Sequence, residues 1–125
     1  MIVAAVVAVG LSDLSSNLIK IWIHRLRPCH TEVGVRLLIA QCSDTFSFTS
    51  NHAANHFALS VFVSLLFRRW WLSVLMLLWA SSVAFSQVYV GIHYPVDVIA
   101  GAVLGAVIGW VVFKIFTLWS MRRDK

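Results

Sequence analysis

Four long apolar segments follow one another in this 125-residue chain, and they decide what it can fold into. They cover approximately residues 1–24, 53–67, 70–89 and 95–120. A helix needs about 20 predominantly apolar residues to cross the hydrocarbon core of a bilayer, so the segments approach or reach membrane-spanning length. We therefore predict an all-α integral membrane bundle of about four transmembrane helices. Residues 1–125 are expected to form a single domain.

The charge content excludes several other classes of protein. Only 12% of the residues are charged and the mean hydropathy is +0.85, whereas soluble domains carry about a quarter charged residues. Two cysteines are too few for a disulfide-dense secreted scaffold. The net charge of +5 is not spread along a polar face, as nucleic-acid binding requires. The expected partner is the lipid bilayer, with no nucleic acid.

The connections between the segments predict the orientation. Alternating helices place the long connection, residues 25–51, on the same side as the turn at 91–94. The opposite side carries Arg68, Arg69, Arg122, Arg123 and Lys125 with Asp124, against Arg25, Arg27 and Arg36 in the long connection. The positive-inside rule makes the more basic side cytoplasmic, so the long connection should face the periplasm or cell exterior. Cys29 and Cys42 lie in it, and the sequence leaves open a disulfide or two free thiols.

The first helix carries polar residues that a membrane helix normally avoids. Asp13, Ser16, Asn17, Lys20 and His24 recur at steps of three and four residues, which places them on one helical face. Ionisable groups inside membrane spans are costly and therefore point to a function. Small polar residues such as Ser16 and Asn17 are expected to join helices, whereas the cation at Lys20 indicates a site.

A second polar group directly precedes the next helix, at Thr49-Ser50-Asn51-His52. Ser and Asn are good N-cap residues, which accounts for the group structurally. A helix N-terminus also attracts anions, because its free N–H groups and its dipole both point outward. His56 lies one turn after His52 and offers a second possible metal ligand.

The third polar group combines Ser86-Gln87 with His93 and Asp97. Pro95 is suited to the first position of a helix, which places Asp97 in its first turn. A carboxylate that accepts the ring N–H of His93 makes the other ring nitrogen more nucleophilic. Gly101, Gly105 and Gly109 continue the face of Asp97 at four-residue spacing and predict close helix packing.

These three groups resemble the three signature motifs of the type 2 phosphatidic acid phosphatase / haloperoxidase superfamily, K-x6-R-P, P-S-G-H and S-R-x5-H-x3-D. The chain matches them in order, with Lys20…Arg27-Pro28, Thr49-Ser50-Asn51-His52 and Ser86-Gln87…His93…Asp97. The resemblance spans residues 20–97 and is to the membrane lipid-phosphatase branch, typified by bacterial undecaprenyl diphosphatases.

The resemblance implies roles for individual residues. His93 would attack phosphorus, Asp97 would orient its ring, and His52 would protonate the leaving oxygen. The phosphoryl oxygens would be bound by Lys20, Arg27, Ser50, Asn51 and Gln87. No metal and no other cofactor is implied.

The chain departs from the family pattern in four ways. Thr49 replaces Pro, Asn51 replaces Gly, and Gln87 replaces an Arg, which removes one phosphate-binding cation. Family members with this membrane architecture usually have two further helices before the first motif. The sequence does not tell whether residues precede Met1 in the natural protein.

The function expected from the resemblance is removal of phosphate from a lipid phosphate or polyprenyl diphosphate through a phosphohistidine, with undecaprenyl diphosphate favoured. The expected location is a bacterial inner membrane. A metal-dependent membrane hydrolase that uses His52, His56, His93 and Asp97 as ligands is one alternative. A catalytically inactive lipid-phosphate-binding or scaffold protein is the other, and the absence of Arg at position 87 favours it.

Overall fold

The structure is a computed structural model that describes residues 1–31, 34, 37–38 and 41–123. Its elements, in chain order, are α1 (Ile2–Ile23), α2 (Pro28–Thr31), α3 (Asn51–Phe67), α4 (Trp70–Tyr89) and α5 (Pro95–Arg123). The all-α prediction is confirmed, and the four predicted helices lie within a few residues of their expected bounds. The four-residue helix α2 was not predicted. Arg36, Asp124 and Lys125, which entered the topology argument, lie outside the described residues.

Three helical segments among the described residues are long and apolar enough to cross a membrane: Ile2–Thr31, Trp70–Tyr89 and Pro95–Arg123. Helix α3 has 17 residues and is about 25 Å long at 1.5 Å per residue, somewhat less than the thickness of the hydrocarbon core. Most large apolar side chains on the outer faces are exposed, including Trp22, Trp70 and Trp79. The protein is therefore an integral membrane protein whose apolar surface faces lipid.

The helix ends follow from local sequence. Ser50 is the N-cap of α3, and its hydroxyl accepts a hydrogen bond from the Ala53 N–H at 3.4 Å. Helices α1 and α3 are each followed by a C-cap residue, His24 and Arg68, and both adopt left-handed backbone conformations. Pro95 occupies the first position of α5, as predicted. The cap at Ser50 starts α3 at Asn51, two residues before the expected 53, so His52 lies inside its first turn.

Helix α3 lies at the centre of the bundle and packs against α1, α4 and α5. Its contact with α5 is made by the predicted glycine face. A Cβ atom at Gly101 would lie 2.5 Å from the Ser50 carbonyl oxygen, and one at Gly105 would lie 2.8 Å from the Ala54 carbonyl carbon. These glycines therefore allow the backbones of α3 and α5 to meet directly.

This contact positions the polar end of the bundle. The Ser50 N–H donates to the Asp97 carbonyl at 3.0 Å and so joins the first residues of α3 and α5. At the other end of the bundle, Phe62 of α3 packs edge-on against Phe113 and Phe116 of α5. One cluster of the apolar core lies at that end, and a second one, formed by Ala53, Ala84 and Val98, lies at the end of Ser50 beside the polar residues predicted to form a site.

Candidate active site

A cavity of about 610 Å³ opens where the end of α1, the segment before α3 and the α4–α5 turn meet. Five of the eight predicted site residues line it: Lys20, Arg27, Asn51, His52 and His93. Ser50, Gln87 and Asp97 are not among its lining residues. Residues from all three sequence motifs therefore share one neighbourhood, although only part of each motif faces the cavity.

His93 and Arg27 form the polar centre of this cavity. Arg27 Nη1 lies 3.2 Å from His93 Nε2. Because a guanidinium can only donate, Nε2 is the unprotonated acceptor in this contact and directs its lone pair at Arg27. The ring proton then resides on Nδ1, which lies 3.7 Å from Asp97 Oδ2. This arrangement presents a nucleophilic nitrogen to the cavity and turns the N–H toward the carboxylate.

The environment of His93 also keeps its imidazole neutral. The side chain is buried, and this burial lowers the pKa of His93 below its ordinary value of 6.5. The nearby Asp97 carboxylate acts in the opposite direction, while the positive charges of Arg27 and Lys20 add to the lowering. The net effect favours the unprotonated ring that nucleophilic attack requires.

Arg27 is itself held by the segment before α3. Its Nε donates to the Thr45 carbonyl at 2.9 Å, and its Nη2 donates to the Thr45 hydroxyl at 2.8 Å. Nη1 also donates to the Ile92 carbonyl at 3.2 Å, beside the contact with His93. Thr45 was not singled out in the sequence, because it lies between the first and the second motif.

Asp97 lies behind His93 and is completely buried. Arg25 Nη1 donates to its Oδ1 at 3.1 Å, and the Tyr94 N–H donates to its Oδ2 at 3.0 Å. The Ser47 hydroxyl also donates to Oδ2. Neither Arg25 nor Ser47 was predicted as a site residue. The proximity of Arg25 to the Arg27 motif was the only available signal.

Lys20 is buried at the end of α1 and fixes the segment before α3. Its ammonium donates to the carbonyl oxygens of Phe46, Ser47 and Thr49. The Thr49 hydroxyl donates to Ser16 at 3.0 Å, so the same segment is joined to α1 at a second point. Lys20 therefore lines the cavity and shapes its wall.

The first turn of α3 separates the roles of its polar residues. Ser50 is completely buried, and its hydroxyl caps the helix. The Asn51 amide donates to Asp13 and Asn17, both at 2.8 Å, which confirms that Asn17 joins helices. His52 is exposed and lies on the cavity wall, so its ring is accessible to a bound group.

Gln87 supports the site through its backbone. Its carbonyl accepts hydrogen bonds from the N–H groups of Ile92 and His93, at 3.3 and 3.2 Å, and closes the turn that carries His93. The side-chain amide donates to Ser86 at 3.2 Å, while its Oε1 has no hydrogen-bond partner among the described residues. The predicted role of Gln87 in phosphate binding therefore has no cavity contact to support it.

The two cysteines are joined. Cys29 and Cys42 form a disulfide with their Cα atoms 6.3 Å apart, which selects the first of the two alternatives left by the sequence. Within the described part of the chain, Cys29, His30 and Cys42 are the one group spaced for a metal ion, and this group uses the disulfide sulfurs. The histidine set of the metal alternative is not gathered, because the His56 ring packs against Trp79.

Comparison with known proteins identifies the family of the chain. The family model described as "PAP2 superfamily" matches residues 1–120. The chain belongs to the PAP2 superfamily. This result confirms the resemblance that the three motifs indicated, and the membrane lipid-phosphatase branch is supported by the relatives described below.

Two curated PAP2 relatives carry different substrate names. The lipid A 4'-phosphatase of Bacteroides thetaiotaomicron is 34% identical over 119 residues, which cover 91% of this chain and 53% of the relative. The undecaprenyl-diphosphatase of Sulfolobus acidocaldarius is 32% identical over 113 residues, covering 90% of this chain and 50% of the relative. The chain thus spans about half the length of each of these relatives.

A solved structure shows the same fold. The crystal structure of Aquifex aeolicus LpxE superposes with a TM-score of 0.81 at 24% identity, covering 89% of this chain and 66% of that structure. The agreement concerns the helical arrangement and is independent of the motif residues.

Proposed function

We propose that this PAP2 protein is a membrane-embedded, metal-independent phosphatase that hydrolyses a lipid phosphate or a polyprenyl diphosphate. The observation that carries the proposal is the contact of Arg27 Nη1 with His93 Nε2 at 3.2 Å, with Asp97 on the other side of the ring. The close approach of a cation to the ring nitrogen of the proposed nucleophile supports this proposal. A phosphoryl group bound to Arg27 would meet the His93 lone pair.

The proposed reaction has two steps. His93 Nε2 attacks phosphorus, the bond to the leaving oxygen breaks, and His52 gives that oxygen a proton. In the second step His52 takes a proton from water, which attacks the phosphohistidine and releases inorganic phosphate and free His93. Lys20 and Arg27 provide positive charge for the phosphoryl oxygens during both steps. The His93 N–H faces Asp97 Oδ2 at 3.7 Å and the Ser47 hydroxyl at 3.5 Å, and these two groups would keep the ring in one orientation.

We place the protein in a bacterial inner membrane with the cavity facing the periplasm. The support is the distribution of basic residues, because Arg68, Arg69, Arg122 and Arg123 lie at the end of the bundle opposite the cavity. The Cys29–Cys42 disulfide beside the cavity is consistent with an oxidising compartment. Undecaprenyl diphosphate is the substrate we favour, and the relative named lipid A 4'-phosphatase makes lipid A the principal competitor.

The test is phosphate release by purified protein in detergent, with undecaprenyl diphosphate, phosphatidate, phosphatidylglycerol phosphate and lipid A as substrates. His93→Ala, His52→Ala and Arg27→Ala should each abolish release. His56→Ala is the matched control, because His56 lies on the same helix one turn after His52 and should leave most activity. When the reaction is stopped during turnover by a denaturant without acid, phosphate should remain covalently bound to the wild-type protein and not to His93→Ala.

The same samples separate the alternatives. A metal-dependent hydrolase would lose activity with a chelator, recover it with zinc, and be inactivated by His56→Ala. The scaffold hypothesis predicts lipid-phosphate binding that survives His93→Ala, with no turnover of any substrate by the well-folded parent protein. Either result would replace the phosphatase proposal.

A further inference from the structure

The charges around the candidate site are divided between two locations. Lys20 and Arg27 line the cavity, whereas Arg25 lies behind His93 and pairs with Asp97 at 3.1 Å. Asp97 is completely buried, and an unpaired carboxylate in that position would be strongly unfavourable. Because Arg25 balances it, the two cavity cations keep their charge for a phosphoryl dianion.

Arg25 is held in place by its neighbours. Its guanidinium lies 4.2 Å from the centroid of the Tyr94 ring, and its carbonyl accepts the Ser47 N–H at 2.7 Å. Ser47 and Tyr94 each donate in turn to Asp97 Oδ2. Arg25, Ser47, Tyr94 and Asp97 therefore form a closed set of contacts in which each residue is bound to at least two others.

This set determines which way the Asp97 carboxylate faces. Arg25 binds Oδ1, so Oδ2 is the oxygen that remains directed toward His93 Nδ1. Without Arg25, Oδ1 loses its partner and only the contacts of Ser47 and Tyr94 at Oδ2 hold the carboxylate, so the acceptor that faces the His93 N–H is less tightly fixed. The orientation of Nε2 in the cavity depends on that acceptor.

We propose that Arg25 is a positioning residue for the His93–Asp97 pair. It acts through Asp97 and does not touch the phosphoryl group. The inference rests on the proposed function, since it assumes that His93 is the nucleophile. Neither the family motifs nor the sequence spacing assigns this role, because the contact joins residues that lie 72 positions apart.

The experiment compares Arg25→Gln, Arg25→Lys and the control Arg69→Gln, which removes the same charge from an exposed residue at the opposite end of the bundle. We expect Arg25→Gln to lower kcat by about 10- to 100-fold. A displacement of the reacting atoms by up to about 1 Å has an effect of this size. KM should change little, because Lys20 and Arg27 still bind phosphate. Arg25→Lys should recover most of kcat, and Arg69→Gln should match the wild type.

The pH profile provides a readout that a purely structural role would not change. The charged groups that act on His93 are Arg27, Lys20 and Asp97, and Arg25 acts on Asp97. Removing Arg25 leaves the carboxylate unbalanced, which favours the imidazolium. The acid limb of kcat should therefore move to higher pH in Arg25→Gln and return toward the wild-type position in Arg25→Lys.

A direct titration keeps this inference separate from the proposed function. The pKa of His93, followed by NMR of ¹⁵N-histidine-labelled protein and assigned with His93→Ala, should rise in Arg25→Gln without any substrate present. If the wild type hydrolyses no lipid phosphate, the proposed function fails while this titration still tests the role of Arg25. Wild-type kcat and an unmoved His93 titration in Arg25→Gln would overturn the inference. The inference would also be overturned if Arg25→Lys lowered kcat as much as Arg25→Gln and neither variant changed the His93 titration. The role of Arg25 would then be to pack on Tyr94.

Discussion

Replacing Gly105 with alanine tests whether the direct backbone contact between α3 and α5 holds the bundle together. The new Cβ would lie 2.8 Å from the Ala54 carbonyl carbon and 2.9 Å from the Ala54 Cα. Carbon atoms in favourable contact are about 3.5–4.0 Å apart, so α3 and α5 must separate by roughly 0.7 Å or more. The clashing atoms belong to the α3 backbone, which no change of rotamer can move away.

We expect Gly105→Ala to lower the free energy of unfolding by about 1–3 kcal/mol, the usual cost of overpacking a close contact. Gly10→Ala is the matched control, because Gly10 lies in α1 and a Cβ atom there would meet nothing within 4 Å. Alanine is favoured over glycine in a helix interior by about 0.5–1 kcal/mol, so this control should be neutral or slightly stabilising.

Unfolding by SDS titration from mixed micelles measures both variants against the wild type. Phosphate release on the same samples shows whether the separation reaches the site, where Ser50 and Asp97 join the two helices. The reasoning is wrong if Gly105→Ala unfolds at the same SDS fraction as the wild type. It is equally wrong if Gly10→Ala is destabilised to the same extent, since the effect would then belong to glycine replacement in general.

Three further predictions concern the site. Burial lowers the pKa of His93 below 6.5, so the acid limb of kcat/KM should have its midpoint below that pH. A midpoint above pH 6.5 would contradict the assignment of His93 as the nucleophile. Replacing both Cys29 and Cys42 with serine removes a disulfide that joins residues 13 positions apart, and it should lower the free energy of unfolding by about 3 kcal/mol. It should also raise KM, because Arg27 lies two residues before Cys29 and would be less firmly held. Unchanged values in the unfolding and phosphate-release assays would disprove this. Gln87→Leu should leave KM nearly unchanged, because the side chain does not line the cavity, and a tenfold rise in KM would show contact with phosphate.

Much of the fold could be predicted from the sequence because each helix has a local signal. The length of the apolar segments predicted α1, α4 and α5. Ser50 as an N-cap residue and Pro95 at a first helical position indicated where α3 and α5 begin. The short helix α2 has no such signal, because four residues are too few to show a helical period.

The candidate site was predictable to the extent that motifs record it. Lys20, Arg27 and His93 stand at fixed spacings, and the structure brings them to one cavity. Arg25 and Ser47 contact Asp97 across 72 and 50 residues, and only the packed bundle reveals such pairs. The roles predicted for Ser50 and Gln87 stay predictions, since their side chains contact the backbone or a neighbouring hydroxyl in this structure.

The glycine face of α5 has a consequence for which walls of the cavity can change independently of the helix packing. The distance between His52 on α3 and Asp97 on α5 is set by the backbone contact of the two helices. Exchanging side chains elsewhere does not change this contact. The opposite wall of the cavity, formed by Ser43, Thr45 and Phe46, belongs to a connection that takes no part in that contact. An exchange of the Phe46 side chain therefore changes the shape of the cavity and leaves the α3–α5 contact in place, whereas an exchange of Thr45 also removes a hydrogen bond that holds Arg27.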